Sequence, residues 1–155
     1  EYSLDLLSMI LGEGRSCRLH RRLNDELGIV SSVNCGFWTL KHAGLFIIEA
    51  VTEPNKVKQV ETEIHSELKK LRETITPAEL QKVKRMSRAD YAFSNEKAIS
   101  IAHTFGQSRV MASIDHTIHY LDEIEKITID DLYHTYDTYL NPTRLCRGLL
   151  LPKKG

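Results

Sequence analysis

The chain has 155 residues, 41% hydrophobic and 27% charged, the balance of one globular domain with a single core. Lys+Arg and Asp+Glu both number 21, so no global field draws nucleic acid or anionic lipid to it. Its longest apolar runs, such as 45–48 and 149–151, fall far short of the roughly 20 residues that span a bilayer.

The sequence opens Glu1-Tyr2-Ser3, without an initiator Met and already inside an amphipathic pattern, and so reads as a piece of a longer polypeptide. Leu4, Leu7, Ile10 and Leu11 form one stripe at helical spacing, which predicts a helix over 3–11. Gly12-Glu13-Gly14 breaks it. Ser16 can cap the next helix, whose Leu19, Leu23 and Leu27 recur every fourth residue; Gly28 stops it. From Ile29 the period falls to two, with Ile29, Ser31, Val33, Cys35 and Phe37 on one side and Val30 to Trp38 on the other. Lys41 to Gly44 is a turn, and 45–51 is a second strand, so the two make an antiparallel hairpin.

Pro54 suits the first turn of a long helix. Val57, Val60, Ile64, Leu68 and Leu71 give that helix the cleanest apolar face in the chain. Thr76-Pro77-Ala78-Glu79 is a capping box for the next helix, which carries Leu80, Val83 and Met86 through Tyr91 toward Phe93. A further helix is expected from Ser94 to about Met111, interrupted or kinked near Gly106. Ile118, Leu121, Ile124 and Ile127 mark a short one. Thr128-Ile129-Asp130-Asp131 starts the last, lined by Tyr133, Tyr136 and Leu140 and ended by Asn141-Pro142. Residues 145–151 predict a final strand, and 152–155 a tail. The expected fold is α+β: a small, mainly antiparallel sheet of three or four strands with helices packed on one face.

Chemical motifs are sparse. Cys17, Cys35 and Cys146 lack C-x-x-C spacing and read as small apolar residues. No G-x-S-x-G is present. Gly12-Glu13-Gly14-Arg15-Ser16 opens a helix, but it follows a helix and lacks the Lys of a phosphate loop. Seven His occur, and none is followed by x-x-E-H. The nearest metal pattern is His116-x-x-His119 beside Asp115, with no third ligand at a defined spacing. Arg15, Arg18, Arg21 and Arg22 cluster on the first turn and second helix. They suit either a patch holding peptide carbonyls or a carboxylate, or a solvated face paired with Asp25 and Glu26.

In order and spacing these elements resemble the second subdomain of a pitrilysin/insulinase-type (M16) zinc metallopeptidase half, as in mitochondrial processing peptidase. The matching stretches are Leu6 to Leu19 with its Gly-containing turn and Ser16-Cys17-Arg18-Leu19, then Leu23 to Val30. They continue through Gly44-Leu45-Phe46, Pro54, Thr76-Pro77-Ala78-Glu79-Leu80, Asp90-Tyr91 and Phe93-Ser94. Thr128 to Leu132 and Tyr139 to Arg144 close the match. Two departures stand out: Glu13 occupies the middle of a turn that is often all Gly, and Gly28 to Ser31 lacks the Tyr that accompanies an Arg, here near Arg22, in non-catalytic halves.

The resemblance implies that 1–151 is a subdomain without catalytic or metal-binding residues of its own. The zinc of the parent enzyme would be held elsewhere by an H-x-x-E-H helix. This part would help to form the substrate chamber, with Arg15, Arg18 and Arg22 as candidate peptide contacts. Its implied partners are the remaining subdomains or a homologous chain and a peptide substrate, with no nucleic acid and no membrane. An exposed apolar patch is expected where the other subdomains dock, and self-association as a homodimer through it is open. The alternative is a scaffold or binding subunit from a catalytically inactive relative.

Overall fold

The structure, a computed structural model, describes residues 1–111, 114–140 and 145–152, with only the backbone at 111 and 116. Helix α1 (Tyr2–Gly12) is its hub. The sequence stripe named four apolar residues, but Leu6, Ser8 and Met9 are buried as well. The reason is that α1 is enclosed. The hairpin lies against one side and α3, α6 and α7, defined below, against others. A helix apolar around most of its circumference belongs in that position. Leu6, Leu7 and Leu11 are completely buried, each contributing about 2 kcal/mol by removal from water.

A π-helical segment, His20–Glu26, follows the Gly14 turn. Gly14 (φ 75°) and Gly28 (φ 58°) both take the left-handed conformation that glycine adopts without a Cβ clash. Ser16 does not cap this segment as expected; its hydroxyl instead accepts from Lys82 Nζ at 2.7 Å. Strands β1 (Ser32–Leu40) and β2 (Ala43–Val51) pair antiparallel, from Ser32 opposite Val51 to Leu40 opposite Ala43. Val33, Cys35, Phe37, Phe46, Ile48 and Ala50 face the core. At Gly12 the helix meets the sheet so closely that a Cβ would stand 2.3 Å from the Cys35 backbone nitrogen.

After a 3-10 turn at Pro54–Lys56 come α2 (Val57–Thr74) and α3 (Pro77–Ser94). They are followed by α4 (Ala98–Met111), α5 (Ile114–Ile118), α6 (Tyr120–Lys126) and α7 (Ile129–Tyr139). Both predicted helix starts form reciprocal capping boxes, Thr76 with Glu79 and Thr128 with Asp131. The helix is not interrupted at Gly106, where α4 runs on. It starts at Ala98 rather than Ser94, because α3 runs through Ser94. The helix expected from Ile118 to Ile127 is split between α5 and α6. The proposed stop at Asn141-Pro142 lies outside the described residues.

The α+β class holds, but among the described residues the sheet has two strands rather than three or four. Residues 145–151, predicted as a final strand, form none, and no main-chain hydrogen bond joins them to another described residue. Apolar composition supplies no partner edge, and an extended segment becomes a strand only when its N–H and C=O groups find one. The segment instead lies over the start of α2, where Arg147 pairs with Glu61 at 3.3 Å.

Candidate functional site

The arginine cluster is built by the turn that follows α1. Arg18, just ahead of the π-helical segment, reaches the junction of α2 and α3, and Arg22, within it, reaches α2, while Arg15 stays on the exposed turn. The Arg18 guanidinium forms a fork on Glu79, Nε to Oε1 at 2.7 Å and Nη2 to Oε2 at 2.8 Å. It also donates to the Thr74 hydroxyl at 2.9 Å and the Thr74 carbonyl at 2.7 Å. Thr74 ends α2 and Glu79 opens α3, so one side chain ties three segments together. Its side chain is 11% exposed. Glu79 is doubly used, because the same carboxylate accepts the Thr76 N–H of the capping box at 3.0 Å. Burial pushes the Glu79 carboxyl up, but the Arg18 and Thr76 hydrogen bonds outweigh it and hold the pKa down at about 2.

Arg22 donates from Nε to Glu63 at 2.9 Å and from Nη1 to Glu26 at 3.0 Å. Arg21 sits 3.8 Å from Glu26. Arg15 makes no side-chain hydrogen bond or ion pair among the described residues. The three candidate peptide contacts are therefore not equivalent: two guanidinia are committed to carboxylates within the fold and one is open. The capping box was legible in the sequence. That its Glu would also receive Arg18, 61 residues away, carried no sequence signal.

Other reactive groups do not converge. Cys17 is buried, Cys35 half-buried and Cys146 exposed; burial pushes the Cys17 and Cys35 thiols up, keeping them protonated. His119 lies 3.7 Å from Asp122 at the surface, and its pairing with the His116 ring lies outside the described residues. Among the described residues, no three His, Cys, Asp or Glu side chains are gathered as a metal needs. The residues described do not fit a zinc donor set. A cavity of about 400 Å³ lies between the start of α2 and the C-terminal segment, lined by Val57, Glu61, Arg147, Leu149 and Leu151 among others. It brings no acid–base pair together.

The elements and their connections define a helix-backed hairpin domain whose described polar groups mostly serve the fold. Comparison with known proteins gives that class a family. The profile described as the peptidase M16 inactive domain matches residues 1–87. The chain is 29% identical over 154 residues to the zinc protease PqqE of Helicobacter pylori, covering 98% of this chain and 35% of that protein. The crystal structure of a protease from H. pylori superposes with a TM-score of 0.86 at 29% identity, over 92% of this chain and 35% of that one. The peptidase M16 inactive domain from Pseudomonas fluorescens has the same fold, with a TM-score of 0.79 at 19% identity over 90% of this chain and 34% of that chain. The chain belongs to the peptidase M16 inactive-domain family. It spans about a third of the length of the first curated relative it matches.

Proposed function

We propose that this chain is the zinc-free domain of an M16-type metalloendopeptidase, in which it completes the wall of a peptide-enclosing chamber and packs against the zinc-bearing domain. One observation carries the reading: nearly the whole chain aligns with a zinc protease of which it makes up about a third. The chemistry of bond cleavage belongs to the other domain. The part assigned to this one is spatial, to hold a wall and present side chains to the peptide. Of the three arginines, Arg15 is the proposed direct contact, because its guanidinium is open to a peptide carbonyl or carboxylate. Arg18 and Arg22 are positioning residues that fix the turn carrying Arg15.

Turnover of a quenched fluorescent peptide tests the assignment. The 155-residue chain by itself is expected to give none and to take up no zinc tightly by calorimetric titration. The full-length parent is expected to cleave the peptide in a chelator-sensitive way. Chelator-sensitive cleavage by this chain alone, or a parent inert toward every peptide in a broad library, sinks the proposal. In the parent, Arg15→Ala is expected to raise KM several-fold with kcat little changed, the signature of a lost binding contact.

A further inference from the structure

Helix α4 has no core of its own. Its 14 residues include one charged side chain, Arg109, and seven apolar ones. A helix with this composition belongs inside a protein. Yet none of its described side chains belongs to the core. Its extensive contacts run to α5, where the Ser108 and Thr117 hydroxyls share a hydrogen bond. The opposite face carries Ile99, Ala102, His103, Gly106 and Val110, which helical spacing places side by side. Ile99 is 75% exposed and Val110 70%. Nothing lies within 4 Å of where a Cβ would stand on Gly106. Phe93, near the end of α3, and Ile118, at the end of α5, are exposed as well.

We propose that this face of α4 is the docking surface for the companion part of the parent polypeptide, which meets it with an apolar helix or sheet face. The proposal rests on the reading above that the chain acts as one domain of a longer protein. Two observations select this occupant. About two thirds of the matched relative's length lies outside the aligned region, so there is ample chain to cover the face. The face itself gathers apolar and small residues around His103 and has no Asp, Glu, Lys or Arg, the character of a permanent interface rather than a transient one. A second copy of the chain, using the same face self-complementarily, is the competing occupant.

Hydrogen exchange read by mass spectrometry on the full-length parent tests this, with α1 as internal reference. Amides of α4 are expected to exchange about tenfold or more slowly in the parent than in the 155-residue chain. Ile99→Asp with Val110→Asp in the parent is expected to remove that protection while α1 stays protected. Equal exchange of α4 in parent and chain overturns the proposal, as does protection that ignores the double substitution. Concentration-dependent protection of α4 in the 155-residue chain, with a dimer in sedimentation that the two substitutions dissociate, assigns the face to a second copy and also overturns it. The peptide assay reads a separate quantity. A parent that protects α4 but cleaves no peptide leaves the docking surface standing and ends the peptidase reading.

Discussion

Arg18 shows how a side chain that suits substrate binding can instead be consumed by the fold. Its fork on Glu79 and its two bonds to Thr74 are charge-assisted and largely shielded from water. Arg18→Ala is expected to cost about 2 kcal/mol, because it leaves Glu79 half-buried without its cation. Arg18→Lys is expected to rescue only part, since an ammonium cannot reproduce the fork; urea melts of the three proteins compare them directly. The Glu79 carboxyl is held at about 2, below its ordinary 4.5. Its contribution is therefore complete above about pH 4.5 and fades as pH falls toward 2. Glu79→Gln should flatten the acid limb of stability against pH.

Asp5 has the opposite sign. Burial, then the nearby Glu1 carboxylate, push it up to about 6 against the Tyr120 hydroxyl, which donates to it at 3.4 Å. A folded-state pKa above the ordinary 3.8 means the native state holds its proton longer than the unfolded chain. Its cost to stability grows from about pH 4 and is complete above pH 6. Asp5→Asn is expected to raise the melting temperature at pH 7 and to make no difference below pH 4, a contrast that scanning calorimetry at the two pH values resolves.

At the scale of elements, the helices end where local chemistry ends them, but their packing depends on distant residues. Thr128→Ala removes a side-chain acceptor for the Asp131 N–H and should cost about 1 kcal/mol. Lys84 is a stronger case. It is buried at 4% exposure and donates to the Glu125 and Ile127 carbonyls at 2.7 and 2.8 Å, holding the end of α6 against α3. A cation at a helix C-terminus is favoured by the helix dipole as well. Between α1 and β1 the decisive residue is Gly12. Gly12→Ala would drive a methyl into the Cys35 backbone, which strands cannot yield to without shifting register. The expected loss is about 3 kcal/mol or more, measured as a fall in the denaturation midpoint.

For the whole molecule, stability is unevenly spread. The buried cluster runs from α1 through the hairpin, α2 and α3 to α6 and α7, and the described residues of α4 and α5 lie outside it. In the 155-residue chain, amides of α1 should therefore exchange most slowly and those of α4 fastest. The uncovered side of the hairpin repeats the pattern, with Trp38 60% and Val51 60% exposed. Among the described residues its edges carry no strand partner beyond the hairpin itself.

Local signals in the sequence were enough for the α+β class, the hairpin, the Thr76 capping box, the helix start at Thr128 and the long apolar face of α2, because each depends on residues within a turn or two of one another. The ordered string of those signals also carried the resemblance to the M16 family. What the tertiary structure alone decided were the meetings of residues far apart in the chain: Arg18 on Glu79, Lys84 on the end of α6, Gly12 against Cys35. It also decided that 145–151 joins no strand among the described residues and that α4 stands off the core. Periodicity tells a segment which face is apolar, but whether another surface arrives to cover that face depends on atoms the segment does not contain.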